Sequence, residues 1–496
     1  MKPLEIQAPT VGIAPSPHVG FADVRNLDLY ASPGVIRLNN LTAKKSSTTV
    51  VTLVQWIVTN PATPAEKYAL DSAGKVYKST DSGATWALMT GNTQTSTHGN
   101  GLAIWKNYLF VARDAKLDVC GDGSATGIAN ANWTNDWQTI DSDVLWHPLH
   151  VSRNDGNLYG GAGRYVFSVE EIGTFVKGTP GTYTFTAQAL DLPSNYRIKC
   201  LDELGNNLML GTWQGTNVYD IRIADIFPWD RSSVSFGQPI RLEVNGIHAM
   251  KNRNNTLFVG AGIEGKLYVC DGVNARQVAQ IPHSIADIDG GLYIEFLPGA
   301  IADFKGRLFF GVSSGGSSTA IPGMGVYSLQ QTSEGNILTH EHTISTGSDG
   351  DGEILKIGAI HPISRDNILI GWQDATSYGV DNLTTTSRMT SYSGFFISPL
   401  YNVGSSQQLR KFLEIEIRFA RPLRTNEGIK VEYRLNLTDS FTTLGTFDFA
   451  TYGAKLSLNK ELNSPSLDIP PCEQIQLKVS LTGTTTTPEY KSLILR

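Results

Sequence analysis

The sequence predicts an all-β protein: a seven-bladed β-propeller followed by a C-terminal, jelly-roll-like β-sandwich, with an extended N-terminal arm. Three observations predict this. Long helical patterns are almost absent, and short apolar–polar alternations are separated by Gly, Asn, Asp and Ser turns. A four-residue frame, a large apolar or aromatic residue followed three places on by a small or turn residue, recurs at a spacing of roughly 50 residues. Near residue 389 that rhythm gives way to longer strands with one apolar face.

Residues 1–45 stand outside the repeat. Pro3, Pro9, Pro15 and Pro17 favour extended backbone and exclude helix, so the segment is expected to be an arm. It either lies over neighbouring subunits or supplies the strand that closes a ring. Residues 46–388 hold the repeats. The frames are Tyr68–Asp71, Leu109–Ala112, Leu158–Gly161, Leu208–Gly211, Leu257–Gly260, Leu308–Gly311 and Ile368–Gly371. A second strand follows each, at Lys75–Tyr77, Lys116–Leu117, Tyr165–Phe167, Asn217–Tyr219, Lys266–Tyr268, Gly325–Tyr327 and Tyr378–Val380. Polar turns such as Asp155-Gly-Asn157 and Lys305-Gly-Arg307 precede most frames. Short strands at this period are the blades of a propeller, and seven blades close a ring without exposed sheet edges. The competing architecture is a β-sandwich with coincidental spacing. Residues 389–496 carry the terminal sandwich: Leu413, Ile415, Ile417 and Phe419 alternate with charged residues, as do Ile429, Val431, Tyr433 and Leu435. A third such strand carries Ile475, Leu477, Val479 and Leu481.

Composition excludes several functions. The chain has 496 residues, with 40 Lys+Arg against 46 Asp+Glu and a formal charge of −6. It therefore lacks the broad basic face that gripping nucleic acid requires. Cys120, Cys200, Cys270 and Cys472 lie far apart without a CxxC pair, which suggests neither a zinc site nor a disulfide framework. No signal-peptide core opens the sequence, and the longest apolar run, Val50–Val58, is too short to span a membrane. A soluble protein made without a cleaved leader is expected.

The sharpest motif is Ser79-Thr-Asp-Ser-Gly-Ala-Thr-Trp86, which matches the Asp-box, S-x-D-x-G-x-x-W, of sialidases and many other propellers. Its residues have structural work to do: Asp81 accepts hairpin hydrogen bonds, Gly83 permits a positive φ, and Trp86 plugs between blades. A sialidase needs three arginines, a Tyr–Glu pair and an acid Asp. Here Val35-Ile-Arg37-Leu38 is the nearest arginine motif, and it lacks the proline. Asp220 and Glu295 are carboxylates beside aromatic or apolar strands, but nothing marks a general acid and base. No catalytic residue and no cofactor is assigned. A glycoside hydrolase is the weakest of the functional readings.

Asp349, Asp351 and Glu353 in Ser348–Glu353 form a loop that suits Ca²⁺ or, more simply, a solvated turn. His340 and His342 flank Glu341 on alternating strand positions without an evident third metal ligand. Gly315-Gly316 lacks the Lys of a phosphate loop, and five N-x-S/T sequons, at Asn40, Asn132, Asn254, Asn382 and Asn436, fit chance in a Thr-rich chain. Trp213, Trp229 and Trp372 fall in expected loops, where each serves either as a sugar-stacking platform or as an inter-blade plug.

The order of arm, propeller and terminal sandwich resembles virion proteins of tailed bacteriophages. The segment Val19–Leu38 looks like the opening of propeller-bearing tail proteins, and the Tyr68–Gly74 hairpin with its single Asp-box and the closing Leu481–Leu493 are similar too. Several podovirus tail nozzles carry a propeller inserted among β-domains; this chain departs from them in being nearly all propeller with a compact C-terminal domain. The resemblance implies a non-enzymatic structural subunit of the tail nozzle or tail tip, present as a homo-oligomeric ring among other virion tail proteins. Such a subunit is assembled in the host cytoplasm, resides in the virion tail, and meets DNA only as passing cargo along a mildly acidic wall. The alternative is a receptor-binding tail protein that holds a host surface glycan during host attachment.

Overall fold

The computed structural model describes residues 3–7, 13, 21–32, 34–45, 50–92, 99–141, 146–215, 221–282, 293–315, 321, 323–332, 335–348, 354–388, 393–405, 407–462 and 467–496. These residues are built almost wholly from strands. The helical pieces among them are a 3-10 turn at Asn130–Asn132 and a short α-turn at Phe449–Tyr452. No helix among the described residues is long and apolar enough to cross a membrane.

The chain forms two compact units, and neither is continuous in sequence. The larger comprises Ala43–Gly325 and Ile344–Asn382; the smaller gathers Met1–Thr42, Val326–Thr343 and Leu383–Arg496. The sequence reading instead divides the chain into consecutive segments, 1–45, 46–388 and 389–496.

In the larger unit, small antiparallel sheets follow one another along the chain. The first orders Val54–Thr59, Lys67–Asp71, Val76–Ser79 and Ala87–Leu88. The second to fifth begin at Gly99–Trp105, Leu149–Val151, Tyr196–Leu204 and Ile247–Arg253, each a four-stranded meander. In the sixth, Tyr293–Glu295 and Ile301–Phe304 both pair with Arg307–Gly315. The seventh orders Leu355–Pro362, Ile368–Asp374, Ser377–Arg388 and Asn40–Lys44. Its fourth strand thus comes from the start of the chain, and Lys45 N–H donates to Val380 O at 2.8 Å where that strand ends. Repeated four-stranded sheets in sequence order make a propeller-like arrangement.

Every frame read from the sequence lies in the second strand of its sheet. The small residue at its end has a packing cause. A Cβ on Gly161 would lie 2.7 Å from Ile198 Cγ2, one on Gly211 2.7 Å from Ile247 Cγ2, and one on Gly311 2.5 Å from Ile357 Cγ2. In each case the intruded side chain belongs to the first strand of the following sheet. Gly371 of the seventh sheet meets Val54 of the first in the same way, with Val54 O 2.7 Å from the would-be Cβ. The glycine thus lets two sheets approach face to face. The second strands of the pattern coincide with third strands of sheets, except that Asn217–Tyr219 lies outside the described residues; the described third strand of the fourth sheet is Ala224–Trp229.

The smaller unit holds two sheets. One orders Leu27–Ser32, Val35–Leu38, Tyr490–Leu495, Glu414–Phe419 and Ser457–Glu461, with Leu4–Gln7 also paired to Tyr490–Leu495. The other includes Gly335–His342, Asp23–Arg25, Gly394–Ile397, Gln474–Thr482, Gly428–Arg434 and Thr442–Asp448. Phe396 from the second sheet lies 5.3 Å from Tyr490 of the first and stacks on Phe21 at 4.4 Å. Ile415, Ile417, Ile429, Val431, Ile475, Leu477, Val479 and Leu481 are buried as their alternation requires. Leu413 breaks the pattern at 64% exposure, because it precedes its strand.

The described parts of the N-terminal segment are packed into sheets, and Asn40–Lys44 at its end is the fourth strand of the seventh sheet. Val24, Leu27, Ile36 and Leu38 bury their side chains, which an isolated extended segment has no means to do. Arg37 pairs with Glu489 at 2.9 Å, and Arg421 forks onto the fully buried Glu427 at 2.6 and 2.9 Å.

Candidate ligand-binding cavity

The first strands of the seven sheets meet at one place. Residues Trp56–Thr59, Leu102–Ile104, Leu149–Val151, Cys200–Asp202, Met250–Lys251, Ile301–Asp303 and Ile360–Pro362 line a cavity of about 580 Å³. Each first strand lies beside that of the next sheet, and Leu355–Pro362 lies beside Val54–Thr59.

Side chains at the hairpin tips tie neighbouring sheets at the repeat interval. Trp105 Nε1 donates to Gly156 O at 2.6 Å, Asn154 Nδ2 to Gly205 O at 3.1 Å, and Arg253 to Gly306 O. Glu203 collects the densest set: Ser152 Oγ at 2.6 Å, Arg153 N–H at 2.9 Å and Arg231 at 3.1 Å, with His150 Nε2 at 3.6 Å. Burial alone would raise its pKa, but His150, Ser152 and the Arg153 N–H bring it down to about 2. These bonds hold the wall of the cavity fixed.

The wall itself mixes apolar and polar groups. Trp56, half-buried, is the only Trp, Tyr or Phe among the described lining residues, and Leu102, Met250 and Ile301 lie around the same space. Asp202 accepts from Asn252 N–H at 2.7 Å and Glu203 N–H at 2.8 Å, with Lys251 Nζ 3.9 Å away. Asp303 pairs with Arg253 at 3.2 Å. His361 Nε2 stands 2.6 Å from Thr59 Oγ1. Burial, aided by the charges of Lys67 and Lys251, holds the His361 pKa down to about 4, so the ring is neutral at pH 7.

A second polar cluster is closed to solvent. Lys199 Nζ donates to Glu295 Oε1 at 2.7 Å and lies 2.8 Å from His248 Nδ1, above the Trp146 ring at 4.8 Å. Burial and Lys199 push His248 down to about 3, so the neutral ring accepts from the ammonium while its Nε2 donates to Asn245 O at 3.1 Å. For Glu295, burial works to raise the pKa and the charge of Lys199, 2.7 Å away, outweighs it, leaving the carboxyl below its ordinary value. A general acid needs the opposite shift and access to substrate.

The residues singled out in the sequence are placed as follows. Ser79–Trp86 turns between the third and fourth strands of the first sheet. Asp81 accepts from Thr85 N–H at 2.8 Å and Ser79 Oγ at 2.8 Å, Gly83 has φ 90°, and Trp86 Nε1 donates to Gly83 O at 3.1 Å. Trp86 packs with Val54, Tyr77 and Leu369, joining the first sheet to the seventh. Trp213, Trp229 and Trp372 are 4%, 2% and 1% exposed, so their ring faces are covered by protein and not open to a sugar. Trp229, for instance, meets Tyr159 edge-on at 5.8 Å and donates to Ser233 O. Asp349, Asp351, Glu353 and Asp220 lie outside the described residues. His340, Glu341 and His342 are all buried in the smaller unit, where Glu341 accepts from Asn39 and Ser328. Among the described residues no three His, Cys, Asp or Glu side chains are grouped to hold a metal, and the four cysteines are buried and free.

Trp56 and the polar wall escape a reading based on the frames, because the first strand of each sheet lies before its frame and lacks a shared motif. The available signal was the apolar run Val50–Val58, within which Trp56 falls.

No protein-family profile matches the chain, and no curated protein matches it. Solved structures of low similarity do. A computationally designed protein, Ika8, is 13% identical over 69% of this chain and 99% of its own, with a TM-score of 0.38. YCF48 bound to D1 peptide is 10% identical over 73% of this chain and 98% of its own, with a TM-score of 0.44. The β-propeller domain of Cps50 (Swd1) from Myceliophteria thermophila is 11% identical over 70% of this chain and 99% of its own, with a TM-score of 0.42.

Proposed function

We propose that the chain is a non-catalytic carbohydrate-binding protein whose seven sheets close as the blades of one propeller, and that it serves as the receptor-binding component of a bacteriophage tail. The observation that carries this reading is the cavity at the meeting of seven first strands, with Trp56 and a set of fixed hydrogen-bonding groups at its wall. Its size, about 580 Å³, falls in the range of small-ligand sites. An aromatic ring beside carboxylates, an ammonium and imidazoles matches what a sugar presents, an apolar C–H face and a rim of hydroxyls.

The test is a glycan array probed with the full-length chain, followed by the Trp56→Phe variant, which keeps an aromatic ring in the core formed with Tyr68 and Leu102. Retention of at least one glycan, weakened roughly tenfold in the variant, is the expected result. A folded chain that retains none contradicts the reading.

A second reading is favoured by one observation. The smaller unit is assembled from the beginning, the end and an internal segment of the chain, so the larger unit is threaded into it. That arrangement is like the propeller inserted among β-domains in podovirus tail nozzles. On this reading the chain is a multi-copy tail subunit, the sheets of the smaller unit form a β-sandwich, and its partners are copies of itself and other tail proteins. Multi-angle light scattering and negative-stain images of the purified chain test it: closed rings support it, and a monomer at all concentrations contradicts it.

A further inference from the structure

We infer that the sugar held by the seven-strand cavity is uncharged, not an acidic sugar such as a sialic or uronic acid. The inference rests on the carbohydrate reading of that cavity and specifies its ligand class.

The argument is a charge inventory of the wall. Its carboxylates are Asp202 and Asp303, and its one ammonium among the described lining residues is Lys251. Each of these already has partners of its own. Asp202 is buried under two backbone N–H donors, with Lys251 at 3.9 Å as its counter-charge. Asp303 is matched by Arg253 at 3.2 Å, whose guanidinium also reaches Gly306 O across the hairpin tips. The two imidazoles are engaged as well: His361 Nε2 lies 2.6 Å from Thr59 Oγ1, and His150 Nε2 stands 3.6 Å from the Glu203 carboxylate.

An incoming carboxylate or sulfate therefore meets no unclaimed cation. It has to compete with Asp202 for Lys251 while shedding its own water, and it faces two carboxylates as it does so. A cationic amino sugar is disfavoured by the same matching, since both carboxylates are already balanced by Lys251 and Arg253. A neutral sugar faces neither difficulty. Its hydroxyls donate to the remaining lone pairs of Asp303 and accept from Lys251, and its C–H face lies on Trp56 and Ile301.

The experiment is an array of neutral hexoses and N-acetylhexosamines, sialylated, uronic and sulfated glycans, and free glucosamine, probed with the full-length chain. The bound glycan is then titrated against the wild type and Lys251→Met at about 50 and 500 mM NaCl. A neutral glycan is expected to be retained, with affinity unchanged within about twofold by salt. Lys251→Met is expected to weaken it no more than about tenfold, the cost of one hydrogen bond to a charged group. Retention of an acidic or amino sugar in preference overturns this inference while leaving the carbohydrate reading intact, as does a loss of affinity beyond about tenfold in high salt. Retention of no glycan overturns both.

Discussion

The two units differ in where their cores come from. In the larger unit every sheet but the seventh is made from consecutive chain, and neighbouring sheets meet through frame glycines such as Gly161, Gly211 and Gly371. In the smaller unit the same kind of sheet joins residues hundreds of positions apart: Leu4–Gln7 lies against Tyr490–Leu495, and Ile36 against Tyr490. Local pairing leaves a periodic trace in the sequence, and long-range pairing leaves only alternation. The contrast also assigns stability. The larger unit depends on repeated inter-sheet packing, whereas the smaller depends on a few pairs that tie its distant segments.

The strongest ways to break each unit are therefore of different kinds. Trp86→Ala removes the plug between the first and seventh sheets and is expected to cost about 3–5 kcal/mol, confined to the larger unit. Arg421→Leu strands the fully buried Glu427 and is expected to cost about 3–5 kcal/mol, confined to the smaller one. Hydrogen exchange resolved by peptide reads both; loss of protection spread equally over the two units by either variant contradicts the division.

Next comes Gly371→Val, which places two methyl groups against Val54 where even a Cβ is too close. It is expected to destabilise the larger unit by about 1–3 kcal/mol in urea unfolding. An unchanged midpoint would show that the seventh and first sheets do not depend on this contact.

Acid sharpens the comparison further. His248 and His361 have folded pKa values of about 3 and 4, below the ordinary value near 6.5. Between those limits the unfolded chain binds more protons, so the stability they confer is complete above pH 6.5 and falls as the pH drops toward 3. Glu203 adds a later loss, from its ordinary pKa near 4.5 down to about 2. Melting followed from pH 7 to 5 is expected to show the larger unit weakening, and His361→Asn to remove part of the slope. A flat profile over that range refutes the assignment. The smallest expected effect is that of Asp81→Ala, about 1 kcal/mol for surface hairpin bonds to Thr85 and Ser79, read as a small fall in Tm.

Much of the larger unit was legible because its frames encode a steric requirement. Gly211 and Gly311 are small where the next sheet's Ile247 and Ile357 press in, and that need repeats with each sheet. Alternation likewise placed Ile429, Val431 and Leu477 inside the smaller unit. What it could not convey was partnership: Pro3, Pro9, Pro15 and Pro17 suggested an extended arm without showing what it docks on, and the described segments around them are held by Tyr490, Phe396 and Glu489 from far along the chain. The cavity was least legible. Its wall takes a few residues from each of seven strands, and only their convergence distinguishes Trp56 from the buried Trp213, Trp229 and Trp372.

The most direct test of the account is a crystal structure of the full-length chain soaked with the neutral oligosaccharide that it retains best. The account predicts sugar density within the seven-strand cavity, its apolar face toward Trp56 and its hydroxyls within hydrogen-bond reach of Asp303 or Lys251. Sugar bound elsewhere on the molecule, with that cavity holding only water, would contradict it.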